Sequence, residues 1–281
     1  MNINQKPPFL RRRVGNRLRT MREAAGLSLE EAAPRLDLTR SSLHRVETGA
    51  TRATVHLIRS MMDLYDCYTP ELLDQAREAL KPTWYPQQRK GSLGYVGLED
   101  SAATVREFCG LSLPGLLQTE PYIRALFDRD LTPRTAERLE EDVAVRIFRQ
   151  RRLTDEEEPL EFIGIVDEAA LHRELGGAEV MRDQLKHMVA AASLPTVTLQ
   201  VLRLCDGAHN AMNGSFTLLD FPDEHVRSIL FVDYMCGSLH IEDADQIRAA
   251  NRIFEGLRDQ ALSPTDSVDF IGRVLTELDN R

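Results

Sequence analysis

One segment near the N-terminus constrains the fold most strongly, because it carries the start and stop signals of two short helices. Ser28, with Glu31 three residues later, forms a capping box that begins the first helix. Thr39 is an N-cap for the second helix, and Gly49 supplies its C-terminal stop. Since only residues 36–38 remain between them, the segment predicts two helices joined by a fixed corner.

The second predicted helix has one apolar face and one polar face. Leu43 and Val46 lie three residues apart and face inward. Four polar or basic residues are left on the outside: Arg40, Ser41, His44 and Arg45. A short helix with such residues near its N-terminus can enter the DNA major groove and reach base edges. The pattern is typical of a helix-turn-helix and predicts DNA binding.

The predicted contacts with DNA divide into base edges and backbone. We expect Arg40, Ser41 and His44 at base edges, Arg45 at both bases and phosphate, and Arg17, Arg52 and Ser42 at the phosphate backbone. His44 also has a structural interpretation, because a neutral His can cap its own helix face. One short helix covers few base pairs, so we predict a homodimer on a roughly two-fold-symmetric operator in double-stranded DNA.

Charge is divided unevenly along the chain, which carries a net charge of -9. Residues 1–66 hold 12 Lys+Arg and 7 Asp+Glu, a net of +5, so the remainder carries -14. A cationic N-terminal region suits phosphate, whereas an acidic remainder repels it. The coincidence of the positive charge with the predicted helix-turn-helix favours DNA as the partner over an unrelated solvated face.

Cysteine use and hydropathy bear on the compartment. The four cysteines, Cys67, Cys109, Cys205 and Cys236, show no pairing rhythm, which is typical of free thiols in a reducing cytosol. No apolar signal region and no run long enough to span a bilayer is present in the sequence. The sequence therefore predicts a soluble, cytoplasmic protein.

Three regions follow from the pattern along the chain. We predict an all-α helix-turn-helix DNA-binding domain over 1–80, a linker or docking segment over 81–97, and an α+β domain with a mainly antiparallel sheet over 98–281. In the last region the predicted helices cover about 98–108, 119–129, 132–152, 178–192, 243–260 and 264–279, and a further helix starts near Asp167. The predicted strands cover about 160–166, 196–202, 215–221, 228–234 and 238–241.

The second helix also resembles a known family. Residues 42–49, Ser-Leu-His-Arg-Val-Glu-Thr-Gly, are similar to the S-x-S-R-I-E-x-G pattern of lambda-repressor-like regulators of the xenobiotic-response-element family. The chain departs from that family at Leu29, where Gln is usual, at Asp37, where Gly is usual, and at Pro34, late in the first helix. Asp accepts the left-handed backbone that such a corner needs better than most residues do. The resemblance implies a transcriptional regulator.

A second resemblance covers most of the remaining chain. Residues 113–122, Leu-Pro-Gly-Leu-Leu-Gln-Thr-Glu-Pro-Tyr, resemble the P-G-L-L-Q-T-x-x-Y hallmark of actinobacterial regulators with an antitoxin-like C-terminal domain. Further matches lie at 149–153, 167–171, 181–185, 207–209, 214–216 and 261–264. The resemblance implies a regulatory or protein-interaction domain that binds a small partner protein encoded nearby. The alternative function is an antitoxin-like module that represses its own operon.

Some residues of the C-terminal region suggest other chemistry but also have simpler interpretations. Cys205 with His209 and Cys236 with His240 share a spacing that invites a zinc hypothesis, but isolated cysteines more often fill a core, and His209 suits a loop in which it bonds backbone. Asp167 is better explained by favourable charge at a helix N-terminus than by catalysis. We therefore predict no enzyme activity, no cofactor and no metal. A small-molecule sensor would need a deep pocket with convergent polar groups.

Overall fold

The computed structural model describes residues 9–80, 93–129, 134–222, 226–235 and 237–280. The chain divides into two compact units, Met1–Ser101 and Ala102–Arg281. Of the linker or docking segment predicted over 81–97, residues 81–92 lie outside the described residues, and residues 93–97 belong to a helix of the first unit.

The described part of the N-terminal unit is built from helices. These are α1 Phe9–Ala24, α2 Leu29–Arg35, α3 Arg40–Glu47, α4 Val55–Leu64, α5 Pro70–Leu80 and α6 Leu93–Asp100. The predicted capping box is confirmed, because the Ser28 hydroxyl accepts from the Glu31 amide and the Glu31 carboxylate accepts from the Ser28 amide. Thr39 caps α3 through the amide of Ser42, also as predicted.

Among the described residues, one apolar cluster holds helices α1 to α5 together. Its large fully buried members come from four different helices and include Leu18, Leu43, Ile58, Met61 and Leu72. Burying a side chain of this size contributes about 1.5–3 kcal/mol to stability. Leu43 thus anchors α3 by the face that the sequence assigned to the core, which leaves the opposite face of the helix outside.

Helices α1 and α3 approach so closely that glycine is required at two positions. A Cβ on Gly15 would lie 2.5 Å from the carbonyl oxygen of Glu47 and 2.6 Å from that of Val46. Gly49, which follows α3 with a φ of 72°, would bring a Cβ within 2.7 Å of the Arg12 amide nitrogen. The C-terminal end of α3 is therefore fixed against the backbone of α1.

The described part of the C-terminal unit contains one sheet with helices. Its strands are β1 Thr104–Cys109, β2 Glu161–Asp167, β3 Val197–Leu202, β4 Phe216–Asp220, β5 Ile229–Tyr234 and β6 Gly237–Ile241. Its helices are α7 Glu120–Phe127, α8 Ala136–Arg149, α9 Glu168–Leu171, α10 Ala178–Ala191, α11 Ala244–Gln260 and α12 Pro264–Asp279. Three short 3-10 turns cover Gly115–Leu117, Gln150–Thr154 and Leu204–Asp206.

The strands form a six-stranded sheet in the order β3-β2-β1-β4-β5-β6. Pairs β1–β4, β4–β5 and β5–β6 are antiparallel, while β1–β2 and β2–β3 are parallel. The parallel pairs occur where helices separate consecutive strands, because a parallel pair needs a long crossover connection. The predicted α+β class with a mainly antiparallel sheet is confirmed, and the two parallel pairs are a feature that the strand pattern did not reveal.

The prediction of a helix over 98–108 is wrong. Helix α6 ends at Asp100, and residues 104–109 form β1, which pairs with β2 on one side and β4 on the other. Its buried residues Val105, Phe108 and Cys109 have the i, i+3, i+4 spacing of an amphipathic helix. That spacing arises here because a central strand is covered on both faces, so burial does not follow simple alternation.

One face of the sheet packs against α11. The strand residues Phe108, Ile165 and Leu218 belong to the same apolar cluster as Ala250 and Phe254 of the helix, and the Phe254 side chain is fully buried.

In the described part of the chain, the structure contains no helix long and apolar enough to cross a membrane.

Candidate nucleic-acid interface

Helix α3 presents the four outer residues as the sequence predicts. Arg40, Ser41, His44 and Arg45 are all exposed, while Leu43 and Val46 on the other side are buried. The helix offers two guanidiniums, a hydroxyl and an imidazole within two turns. Such groups can donate to the major-groove edges of guanine and adenine, and the guanidiniums can do so bidentately. That these side chains contact DNA stays a prediction.

Arg40 forms an ion pair that sequence reasoning missed. Its Nε donates to the carboxylate of Glu30 in the first turn of α2, and both side chains are exposed. Hydrogen bonds from its own backbone and then from Arg40 lower the pKa of Glu30. Because solvent screens an exposed pair, DNA can compete for the Arg40 guanidinium. No sequence spacing links the two residues, since the pair depends on the corner between the helices.

The predicted backbone contacts occupy three different settings. Arg17 is half-buried on α1, and Arg52 is exposed in the loop after α3. That loop is tied to α3, because the Thr51 amide donates to the carbonyl of Arg45 at 2.9 Å. The Ser42 hydroxyl lies 2.8 Å from the Thr39 hydroxyl, so Ser42 belongs to the helix cap as well as to the candidate interface.

The corner between α2 and α3 uses a left-handed residue. Asp37 has a φ of 54°, in agreement with the expectation that Asp replaces the usual Gly there. The Ala33 carbonyl accepts from the amides of both Leu36 and Leu38, at 3.1 and 2.9 Å, which closes the corner. Pro34 lies inside α2, and the helix ends one residue later at Arg35. The corner therefore holds the orientation of α3 despite the departures from the family pattern.

A buried ion pair ties α1 to the end of α3. The Arg22 Nε and Nη2 donate to the two carboxylate oxygens of Glu47 at 2.7 and 2.9 Å, and Nη1 donates to the Leu27 carbonyl at 2.7 Å. Arg22 is 6% exposed and Glu47 is 2% exposed. The hydrogen bond with Glu47 is the largest of the contributions that raise the pKa of Arg22. The signal in the sequence was a charged residue beside an apolar core position in each helix.

Tyr65 lies beside this pair with an unsatisfied hydroxyl. Its ring is buried, and within the described residues its oxygen has no hydrogen-bond partner. Burial, and then the negative charge of Glu47, raise the pKa of Tyr65 to about 12 from an ordinary value of 10.0. A buried hydroxyl without a partner costs stability, which gives this position a testable consequence.

We expect Tyr65→Phe to raise the stability of the N-terminal unit by about 1 kcal/mol at neutral pH, because it removes the unsatisfied hydroxyl. The pKa of the native phenol is raised, so the wild-type protein keeps its full stability below pH 10. It loses stability relative to Tyr65→Phe as pH rises from 10 toward about 12. Urea unfolding of both proteins between neutral and alkaline pH measures the difference. Tyr68→Phe, at a residue that is 67% exposed, is the control. A clear loss of stability in Tyr65→Phe would contradict the assignment.

The hallmark segment of the C-terminal unit is organised around two buried glutamines. Gln118 is 2% exposed, and its Nε2 donates to the Leu113 carbonyl at 2.7 Å. Its Oε1 accepts from Arg146 Nη1 at 2.6 Å, and its backbone carbonyl accepts from Gln150 Nε2 at 2.6 Å. Gln118 therefore joins the turn before α7 to the end of α8.

Gln184 on α10 holds the same segment from another side. It is fully buried, its Oε1 accepts from the Thr119 amide at 2.7 Å, and its Nε2 donates to the Leu117 carbonyl at 2.6 Å. The two glutamines satisfy the polar backbone groups of a turn that packs in the interior. This explains physically why the segment needs its glutamine and its fixed turn.

Three arginines of the same unit interact near this turn. The side chain of Arg146 lies 4.8 Å from the Phe127 ring centroid, and that of Arg134 lies 4.2 Å from it. Burial lowers the pKa of Arg146 to about 10, with the charges of Arg149 and Arg134 adding to the effect. Arg134 also pairs with Asp142 at 3.2 Å, so part of this positive charge is balanced.

The residues considered for other chemistry have structural partners. Asp167 accepts from the Ala169 amide at 2.8 Å, which confirms its place at a helix N-terminus. His209 accepts from the Ala211 amide at 3.2 Å, as expected in a loop, and its Nε2 lies 3.5 Å from Asp167. Cys205 is exposed rather than core, and Cys236 lies outside the described residues. Among the residues that the structure describes, no group of three His, Cys, Asp or Glu side chains could hold a metal ion.

Comparison with known protein families agrees with this geometry at the N-terminus. Residues 13–76 match a family model described as a helix-turn-helix domain. The N-terminal unit thus contains a helix-turn-helix of the kind found in DNA-binding regulators. Residues 94–273 match the model described as a domain of unknown function, DUF5753, and the chain belongs to that family. No curated protein and no solved structure matches the chain.

Proposed function

We propose that the protein is a lambda-repressor-like transcriptional regulator that binds a specific operator in double-stranded DNA as a homodimer, with α3 in the major groove. The observation that carries the proposal is the outer face of α3, which exposes Arg40, Ser41, His44 and Arg45 while its inner face is fully buried. A rigidly held helix with such a face suits direct readout of base edges.

The side chains divide by the contact each can make. Arg40 lies at the first turn of α3, so it reads a base edge when it leaves Glu30. Ser41 and His44 supply shorter donors, and Arg45 reaches either a base or the adjacent phosphate. Arg17, Ser42 and Arg52 contact the backbone, which sets the register of α3 without reading sequence.

We expect Arg40→Ala and Arg45→Ala each to weaken operator binding by about 1–3 kcal/mol, roughly 5- to 150-fold, because each removes a base-edge contact. The measurement is fluorescence anisotropy of the full chain on duplex DNA from upstream of its own gene, with scrambled duplex as competitor. Arg77→Ala is the charge-matched control, since Arg77 is exposed on α5 and paired with Asp74. Equal binding to scrambled DNA, unchanged by both substitutions, would refute sequence-specific binding through α3.

A second candidate function concerns the C-terminal unit, which we infer to be a non-enzymatic protein-interaction domain, antitoxin-like in the manner of actinobacterial regulators. Residues 102–281 hold 19 Lys+Arg and 32 Asp+Glu, a net of -13, which favours a basic partner. Exposed Leu204 and Met212 add apolar contact area on this unit. In this function the protein represses its own operon, and the partner modulates that repression.

The partner hypothesis has a direct test. The product of a small neighbouring gene, purified and titrated onto the full chain, should bind saturably and change the operator affinity measured by anisotropy. Binding that weakens as salt rises would support charge complementarity. Absence of binding for a small basic or amphipathic neighbour would remove this second function and leave the DNA-binding proposal unaffected.

A further inference from the structure

Arg11, near the start of α1, has a buried polar atom that nothing in the described part of the protein satisfies. Its Nε is buried and has no hydrogen-bond partner among those residues. Burial, and then the positive charge of Arg52, lower the pKa of Arg11. A buried donor facing a second positive charge is unfavourable unless an anion provides an acceptor for both.

Arg11 and Arg52 line the same small notch. Thr51 also lines it, and the rest of its lining is apolar: Val14, Gly15, Val46, Ala53, Ala76 and Ala79. The notch encloses about 10 Å³. That space holds roughly one water molecule, or one oxygen atom of a larger group that remains outside. The polar residues of this otherwise apolar lining are Arg11, Thr51 and Arg52, whose side chains carry the donors that a single oxygen of an oxyanion would need.

The notch lies at the C-terminal end of α3. Thr51 is tied to α3 through the carbonyl of Arg45, and a Cβ on Gly49 would lie 2.8 Å from the carbonyl carbon of Arg11. An anion held there is therefore close to the helix that carries the candidate base contacts. Duplex DNA presents phosphate oxygens along its whole length beside the major groove.

We propose that Arg11 and Arg52 together bind one phosphate group of the DNA backbone, with a phosphate oxygen in the notch between them. This inference rests on the proposed DNA-binding function and adds a residue of α1 to the interface. Because both guanidiniums hold the same phosphate, loss of either releases it. The contact is independent of base sequence, so it adds affinity and fixes the position of α3 without adding discrimination.

The test is the salt dependence of binding of the full chain to random-sequence duplex and to duplex from upstream of its own gene. In Arg11→Gln the slope of log affinity against log salt should fall by about 0.9, the value for one phosphate, by the same amount on both duplexes. Adding Arg52→Gln should lower the slope little further, because the same phosphate is already lost. Arg11→Lys, which keeps the charge, should retain most of the slope.

Several outcomes would overturn the inference. If the slope is unchanged in Arg11→Gln while the wild-type protein binds DNA, Arg11 does not contact a phosphate, and the proposed function still stands. A second fall of about 0.9 on adding Arg52→Gln would mean two separate phosphates. If the wild-type protein binds neither duplex, both proposals are overturned. If inorganic phosphate then stabilises the wild-type protein against unfolding but not Arg11→Gln, the notch binds a free anion. Arg77→Gln is the charge control, and circular dichroism of each variant verifies folding.

Discussion

Replacing Glu47 by Ala is expected to destabilise the N-terminal unit by about 3–5 kcal/mol, because the Arg22 guanidinium would remain buried without its counter-charge. Arg22 is 6% exposed and makes two of its three side-chain hydrogen bonds to Glu47. A loss of this size is a large part of the stability of an ordinary domain. We expect faster amide hydrogen exchange in α1 and α3, measured in the full chain by mass spectrometry.

Two controls separate burial from charge. Asp74→Ala removes the partner of Arg77 in an exposed pair on α5, so it should have little effect. The double variant Arg22→Met with Glu47→Leu replaces both charges by apolar groups and should recover much of the lost stability. If the amides of α3 exchange no faster in Glu47→Ala than in Asp74→Ala, the ion pair does not hold the helix.

The same pair has a consequence for DNA binding. Glu47 is the last residue of α3, and Gly15 admits the end of that helix to within contact of α1. Loosening this junction would leave the side chains of Arg40 and Arg45 unchanged but would free their helix to move. We therefore expect Glu47→Ala to reduce operator affinity without removing any group that touches DNA.

The sequence was sufficient for the parts of the N-terminal unit that depend on local chemistry. Caps at Ser28 and Thr39, the stop at Gly49 and the inner positions Leu43 and Val46 all act within one helical turn. The outward face of α3 follows from them by elimination. Local rules therefore predicted both the motif and the residues it exposes.

Features that depend on tertiary approach could not be predicted in this way. Arg22 and Glu47 are 25 residues apart, and they meet only because α1 crosses α3 at Gly15. The notch of Arg11 and Arg52 likewise requires the end of α3 to lie against α1. A single sequence gives no signal for such pairs beyond a charge at a position that periodicity assigns to the core.

The C-terminal sheet shows a different limit. Burial at Val105, Phe108 and Cys109 has helical spacing, so periodicity alone assigned β1 to a helix. The parallel pairs of β1 with β2 and of β2 with β3 depend on crossover connections, which strand patterns do not specify. Strand positions were predictable from composition and turns, whereas strand order was not.

Replacing Gln184 by Met is expected to destabilise the C-terminal unit by about 2–5 kcal/mol, because two backbone groups lose their partners in the interior. The Thr119 amide donates to Gln184 Oε1 and the Leu117 carbonyl accepts from its Nε2. Met keeps a similar length but offers neither a strong acceptor nor a donor. Thermal unfolding of the full chain, with hydrogen exchange to assign the transition to residues 102–281, measures the loss.

The exposed glutamine of α11, Gln246, provides the matched control, since Gln246→Met changes the same groups where water can replace them. Gln184→Glu gives a finer distinction. A carboxylate can still accept from the Thr119 amide but cannot donate to the Leu117 carbonyl, so its loss should include that unpaired carbonyl and the burial of a charge. If Gln184→Met is no more destabilising than Gln246→Met, the hallmark turn is held by packing alone. A large difference would instead mean that the P-G-L-L-Q-T segment is maintained by its hydrogen bonds to Gln184.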